Sequence, residues 1–396
     1  MRTGQIINNS LVTENFSTGY PILNKYMMEN AIYQPSRNGD TKELLDFKTT
    51  LTNPYKRCVG NNGRNINIFF LMAEAMWIFT GKKDLATLQI FNDQMKEYSD
   101  DGVSFHAPYG FRIRSHGKSS FDNNAEVNIE NRHDWNFHYG KDQLMEAIEE
   151  LNLNPESRQI VLQIWDANLD LGTKTKDKPC NDLVFLKIRN GKLITTIANR
   201  SNDLHWGLPT NIYQFSFLSE MIGLILGVEL GTQTHNSHSL HFYTNNDIAM
   251  NMYENLQFQP DFVDLYDISE AEPIDFNFED TDSVTTRMVR MDGLQHNILS
   301  SFLNKERLMP HQYDTIYKRS KSLALYHDLC HVFIDYKFGK EPKTDGLRAR
   351  KVEEVHELGV QYGKSLDVII LAQNFFLSRM SDTSIVNGSI FANHKL

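Results

Sequence analysis

Residues 179–203, PCNDLVFLKIRNGKLITTIANRSND, hold two β-rich runs on either side of Asn190-Gly191. Asn-Gly tolerates positive φ at both central positions of a tight turn, so the segment predicts a two-residue hairpin. With that pair at the tip, facing residues sum to 381, which sets Cys180 across from Ser201 and Asn181 across from Arg200. Facing Cβ atoms lie about 5 Å apart, so a thiol and a guanidinium become neighbours. A nearby cation lowers a thiol pKa of about 8.5 toward neutrality and raises the fraction of thiolate, the nucleophilic form. Pro179 adds a rigid approach without a backbone donor. The competing reading is a small buried strand residue; the adjoining polar cluster NRSND favours the nucleophile.

A second candidate lies in INIFFLMAEAMWIF, residues 66–79. Wound as a helix this segment is apolar on every side, so Glu74 is carried into the interior. A lone buried carboxylate costs several kcal/mol unless it is paired or protonated. Burial would raise its pKa from about 4.3 toward neutrality, where general acids and bases work. A kink toward solvent, or a structural ion pair, is the alternative fate of this side chain.

The elements that must hold these groups follow from composition and pattern. The chain has 396 residues, 40% hydrophobic and 11% aromatic, enough to bury a sizeable core. A net charge of −10 argues against a nucleic-acid polymer or an anionic membrane as partner. An anionic small ligand would need a local arginine cluster. Cys58, Cys180 and Cys330 are odd in number and far apart, so neither a disulfide framework nor a thiol metal knuckle is expected, and a reducing compartment fits. The stretch MRTGQIINNSLVTENF has no apolar signal core, and no run of about 18 uncharged apolar residues occurs, so a soluble cytoplasmic protein is expected. GxGxxG and P-loop fingerprints are missing, so any phosphate would be held by side chains.

From about residue 20 to 285 helical and strand patterns mix without regular βαβ alternation, which favours an α+β fold over a doubly wound sheet. Alternating Ile274, Phe276 and Phe278 suggest one last strand. Beyond about 290 helical periodicity takes over. Two regions are therefore expected, a catalytic domain at 1–285 and an all-helical extension at 286–396 of unassigned role. His235, His238 and His241 are spaced by three and His327 and His331 by four, but neither group carries a metal signature: the first lacks acidic or thiol co-ligands and the second lacks the HExxH glutamate. A helix flank is the expected place for the second pair, and no metal is expected.

Seven segments then occur in one order: SRNGDTKEL, AEAMWIFTG, HAPYGFRIR, KDQLMEAIEELNLNPESRQIVLQIWD, KDKPCN, NRSNDLHWGLPTNIYQFS and SLHFYTN. Over roughly residues 35–285 the chain resembles the thymidylate synthase family, including its pyrimidine-nucleotide hydroxymethylase relatives. The resemblance implies a large twisted sheet with covering helices. It implies that Cys180 adds to C6 of the pyrimidine, with Tyr109 in the shell around the thiol and Glu74 relaying protons through ordered water. Arg200 and Ser201 resemble phosphate ligands, Arg37 a mobile-loop arginine that closes over the phosphate, and Arg158 an arginine sent across from the partner of a homodimer. Each such charge-assisted contact is worth about 1.5–3 kcal/mol. Asn211 resembles the amide that reads the O4/N3 edge, which favours uracil, and His241 and Tyr243 resemble ligands of the sugar hydroxyl. Asp203 resembles the partner of the folate ring.

The departures concern phosphate and water. Gln159 stands where much of the family has a second arginine, Met95 and Tyr98 stand where most synthases place tryptophans against folate, and the short tail that closes over folate is not recognisable. The implied reaction is one-carbon transfer from 5,10-methylenetetrahydrofolate to C5 of dUMP, giving dTMP. The alternatives are a 5-hydroxymethylase acting on dUMP or a cytidine nucleotide, favoured by poorer exclusion of water, and a non-catalytic nucleotide-binding regulator on the same scaffold.

Overall fold

The computed structural model describes residues 4–36, 39–60, 64, 66–117, 140–245, 250, 265–271, 273–363 and 367–381. The Asn-Gly turn forms as its chemistry requires, with φ of 53° at Asn190 and 73° at Gly191, and it joins strand β6 (Asn181–Arg189) to β7 (Lys192–Asn199). From Arg189–Lys192 to Leu183–Ala198 the facing residues keep the expected register. The ladder then slips by one, because Asn181 pairs with Asn199 and leaves Asp182 as an extra residue on β6. The expected facing pairs Cys180–Ser201 and Asn181–Arg200 are therefore corrected: the Arg200 N–H donates to the Cys180 carbonyl at 3.1 Å, so thiol and guanidinium residues face each other directly.

Among the described residues nine strands make one mixed sheet. The others are β1 (Gly4–Ile7), β2 (Ser10–Thr13), β3 (Ile32–Ser36), β4 (Gly39–Leu51), β5 (Val161–Gln163), β8 (Asn202–Asp203) and β9 (Glu229–Tyr243). Their order is β1-β2-β4-β9-β7-β6-β5, with β3 on β4 and β8 on β9. Two adjacent rows across the sheet show its asymmetry. The row Leu11, Thr49, His235, Ile197, Val184, Leu162 is buried throughout, whereas the next row, Val12, Thr50, Thr234, Thr196, Phe185, Val161, is exposed or half-exposed. Among the described residues helices cover one face and leave the other bare.

The covering helices are α1 (Phe16–Asn30), α2 (Ile68–Phe79), α3 (Leu85–Phe91), α4 (Tyr109–Arg114), α5 (Gln143–Leu153), α6 (Ala167–Asp170) and α7 (Gly207–Leu226). After the single turn α8 (Leu265–Ile268) come α9 (Val284–Asn304), α10 (Pro310–Arg319), α11 (Lys321–Phe338), α12 (Asp345–Tyr362) and α13 (Asp367–Leu377). The all-round hydrophobicity of α2 now has its reason, because it packs on α7, α3 and α4 and also on α9, α11 and α13. Phe69 of α2 meets Phe333 of α11 and Phe375 and Phe376 of α13, with ring centroids 5.1, 5.3 and 5.7 Å away. Asn67 caps the helix by accepting from Phe70 N–H at 3.1 Å.

Residues 273–279 are not a strand, contrary to the alternation of Ile274, Phe276 and Phe278. Helices on either side take their backbone groups: Ile274 N–H donates to the Glu220 carboxylate and Asn277 N–H to the Arg319 carbonyl. Phe276 and Phe278 pack on each other at 4.4 Å instead of alternating. His327 and His331 are buried in α11 and not on a helix flank, and among the described residues no group of three or more His, Cys, Asp or Glu side chains could hold a metal ion. Among the described residues no helix is long and apolar enough to cross a membrane.

Because Phe69 ties α2 to the C-terminal helices, Phe69→Ala is expected to cost about 3–5 kcal/mol of folding stability, measured by urea denaturation. A loss below about 1 kcal/mol would mean that the aromatic cluster does not hold these helices together.

Candidate active site

The head of the β6–β7 hairpin carries the thiol. Cys180 is half-buried, and the Arg200 Nη2 lies 3.7 Å from its Sγ. The Arg200 side chain is itself held, since Nε donates to the Pro179 carbonyl at 2.8 Å and Nη2 to the Lys178 carbonyl at 3.2 Å. Its guanidinium lies 5.9 Å from the Trp165 ring centroid, within cation–π range. The electrostatic balance is the reverse of the sequence expectation. Burial raises the Cys180 thiol above its ordinary range; Arg200 opposes this, while Asp177, Asp182 and Asp203 add to the rise. The thiol therefore holds its proton at neutral pH, because loss of hydration outweighs one cation.

Tyr109 begins α4, and glycine makes its seat possible. A Cβ on Gly110 would lie 2.0 Å from the Ile78 carbonyl, so only glycine lets α4 rest this closely on α2. The Tyr109 ring stacks on Phe215 at 6.4 Å, and its hydroxyl pKa is raised first by burial and then by Cys180 and Asp177, against hydrogen bonds from the Cys180 N–H and the Asn181 side chain. Asp203, on β8, takes the N–H groups of His205 and Trp206 on Oδ1 at 2.7 and 2.6 Å, while Oδ2 lies 4.0 Å from His241 Nε2. Ser201 Oγ lies 3.4 Å from His241 Nδ1, and the His241 and Tyr243 rings meet edge to face at 5.4 Å.

Asn211 sits on α7 among buried amides: its Oδ1 accepts from Asn181 Nδ2 at 3.1 Å and its Nδ2 donates to Asn202 Oδ1 at 3.1 Å. One turn further on, Gln214 hydrogen-bonds Glu74 of α2. Burial pushes the Glu74 carboxyl up to about 8, the Gln214 bond opposes this, and Oε2 is shut off from solvent without a partner. Glu74 as a whole is half-buried, with the enclosed oxygen facing inward behind Gln214. Asp182, the bulge residue, is likewise pushed up to about 6 by burial, against the pull of Arg200.

The candidates do not all converge. Cys180, Arg200, Tyr109 and Asn211 are joined by contacts through Asn181, and Ser201, Asp203, His241 and Tyr243 form the adjoining wall. Tyr98 is exposed at the rim; burial of its hydroxyl raises it first, followed by Asp203, Tyr243 and Cys180. Met95, in the 3-10 turn Asp93–Tyr98, packs on the hydrophobic core. Arg158 is exposed in the turn before β5. Arg37 lies outside the described residues. Sequence reasoning missed Asn181, Asn199, Asn202, Trp165 and Gln214; the available signal was carboxamides where β-rich runs would otherwise be apolar.

A profile of the thymidylate synthase family matches residues 26–287. The chain is 36% identical over 290 residues to a deoxyuridylate hydroxymethyltransferase of Bacillus phage SP01, covering 72% of this chain and 69% of that protein. It is 34% identical over 234 residues to one of Pseudomonas phage M6, covering 58% of this chain and 60% of that protein. A thymidylate synthase of Mycoplasma mobile is 35% identical over 111 residues, 28% of this chain and 38% of that protein. The chain belongs to the thymidylate synthase family.

Two measurements check the electrostatics. Cys58 and Cys330 are buried, so iodoacetamide should label Cys180 first, at a rate that still climbs with pH beyond the range in which an ordinary thiol has ionised. Arg200→Leu should move that profile to higher pH; an unmoved profile would remove Arg200 from the thiol's field. For Glu74 the folded protein binds the proton more tightly than the unfolded chain, so stability falls as pH rises from the unfolded value of 4.5 to about 8. Glu74→Gln should lack this fall, and urea denaturation between pH 5 and 9 should show the variant's advantage growing with pH to about 8.

Proposed function

We propose that this chain transfers a one-carbon unit to C5 of dUMP through a covalent Cys180 adduct, and that water takes the exocyclic methylene to give 5-hydroxymethyl-dUMP. The observation that carries the covalent step is the Cys180–Arg200 contact at the head of the bulged hairpin. Sγ adds to C6 as its proton leaves, and the electron pair of the C5–C6 bond moves to C5 and O4. The Asn211 N–H that Asn202 leaves free is suited to stabilise the charge on O4. C5 then bonds to the one-carbon unit and loses its proton to water, the unit's bond to the folate nitrogen breaks to leave an exocyclic methylene, water adds to that methylene, and re-formation of the C5–C6 double bond expels the Cys180 thiolate. Glu74, proton-bearing near neutral pH behind Gln214, is suited to move protons for the O4 side of the base. Arg200 and Ser201 are assigned to the phosphate, and His241 and Tyr243 to the sugar.

Methylenetetrahydrofolate supplies the one-carbon unit in this reading. The residues present fit a flat, hydrogen-bonding ring: Asp203 keeps Oδ2 available, and the exposed Trp206 ring, held 4.8 Å over the Arg64 guanidinium, and Tyr98 offer flat walls. Hydroxymethylation is favoured over methylation because Met95 packs on the core and Tyr98 is 53% exposed, a wall that leaves water access. The two phage relatives named as hydroxymethyltransferases point the same way. The methyl outcome is supported by the family profile and the Mycoplasma relative.

A homodimer is part of the proposal. The bare sheet face exposes Phe185 and Val161, and Arg158 is exposed three residues before Val161, where it could reach a neighbouring site. A cytoplasmic location and the lack of a nucleic-acid partner follow from the same enzyme reading and from the net charge of −10.

Cys180→Ala should abolish tritium release from [5-³H]dUMP in the presence of methylenetetrahydrofolate; undiminished release would end the proposal. The product mass chooses the outcome: about 30 Da above dUMP if water adds and about 14 Da if hydride does.

A further inference from the structure

Four carboxamides form a continuous buried string across the site. Asn199 of β7 donates through Nδ2 to Asn181 Oδ1, Asn181 of β6 donates to Asn211 Oδ1, and Asn211 of α7 donates to Asn202 Oδ1. Asn202 of β8 then donates to Ser237 Oγ on β9 at 3.2 Å. All four amides are almost fully excluded from solvent, with exposures of 2% for Asn199, 0% for Asn181, 5% for Asn211 and 1% for Asn202. Every link runs in the same direction. A primary amide carries two N–H donors and two acceptor lone pairs. The string takes one of each from Asn211 and leaves one N–H and one lone pair for a ligand.

That remainder matches one base and mismatches another. Uracil presents an acceptor at O4 and a donor at N3–H; cytosine presents a donor at the exocyclic amine and an acceptor at N3. An amide with its oxygen and nitrogen exchanged in space would read the second pattern as well as the first is read now. Shape alone does not prevent the exchange, because the two ends of a carboxamide are nearly the same size. Neighbours prevent it: turning Asn211 alone would set its oxygen against Asn202 Oδ1 and its nitrogen against Asn181 Nδ2.

We infer that base choice is set by the direction of the whole string, with Asn181 and Asn202 as positioning residues that hold Asn211 in its uracil-reading orientation. This rests on the proposal that Asn211 meets the pyrimidine edge. The string can run the other way only if its ends permit, and Ser237 does, because a hydroxyl donates as readily as it accepts. At the other end the reversal stops at residue 181: an aspartate there still accepts from Asn199 Nδ2, so Asn199 keeps its orientation, and the Tyr109 hydroxyl, which meets the Asn181 amide, can donate as readily as it accepts.

Two isosteric substitutions separate direction from charge. N181D removes the donor to Asn211 Oδ1, so Asn211 must turn its nitrogen toward residue 181, Asn202 turns with it, and Ser237 becomes the donor at the end. N202D keeps an acceptor opposite Asn211 Nδ2 and so keeps the present direction. Both add a carboxylate to the same string. Turnover of dUMP and dCMP with methylenetetrahydrofolate, using the full-length protein, is expected to shift the dCMP/dUMP ratio of kcat/KM by about 100-fold or more toward dCMP in N181D. N202D is expected to slow both bases and retain the uracil preference. Equal shifts in the two variants, or an unchanged preference in N181D, would overturn the inference. Where turnover is too slow, the ratio of equilibrium affinities for dUMP and dCMP gives the same decision; if N181D does not fold, a cytosine preference in N202D still overturns it. Wild-type protein that processes neither nucleotide would overturn the proposed function instead, and the affinity ratios would still judge the string.

Discussion

The arrangement of the site depends on one inserted residue in one ladder. An Asn-Gly turn fixes which residues of β6 and β7 face each other, and because side chains alternate with a period of two, that register also decides which face each one occupies. Asp182 interrupts the ladder just before it reaches the site. The slip places Cys180 opposite Arg200, and Arg200 is then anchored to the carbonyls of Lys178 and Pro179. A long, flexible side chain becomes a fixed charge beside the thiol. Fixing the charge does not ionise the thiol, since the same enclosure that orders Arg200 removes water and gathers three carboxylates.

Burial with partial compensation recurs behind the thiol. Glu74 lies in a helix without a polar face, and its one described neighbour of hydrogen-bonding kind is Gln214. The carboxyl consequently keeps its proton at a pH where an exposed glutamate has lost it. The C-terminal helices contribute from the opposite side, because Phe69, on the same helix, packs against Phe333, Phe375 and Phe376. These helices thus share one hydrophobic core with the sheet.

The amides show the same physics with the polar groups satisfied. Asn181, Asn199, Asn202 and Asn211 come from three strands and a helix, and each alone would be a costly polar group in the interior. Linked, they meet one another's needs, and buried polar groups that are mutually satisfied specify a single arrangement. Across the sheet the contrast is plain among the described residues, as the row through Leu11 and Val184 is buried while the row through Val12 and Phe185 is exposed or half-exposed.

Local chemistry made part of this legible from residue order alone. The turn at Asn190-Gly191 is local, since the φ preferences of two residues decide it; the internal position of Glu74 follows from the period of one helix; and the α+β class follows from patterning along the chain. The bulge at Asp182 could not be read, because a one-residue slip is decided by which backbone groups find partners across the sheet, including the Asp182 carbonyl taken by Ile164 and Trp165. The same holds for residues 273–279, whose alternation imitates a strand but whose N–H groups find helices first. Likewise His235, His238 and His241 diverge, because a spacing of three in a strand alternates faces. The sequence by itself determined the turn, the buried carboxylate and the supply of thiol, guanidinium and amides. Tertiary structure alone decided which of them touch, and whether the thiol is charged, because contact and hydration are properties of the space between elements distant in the chain.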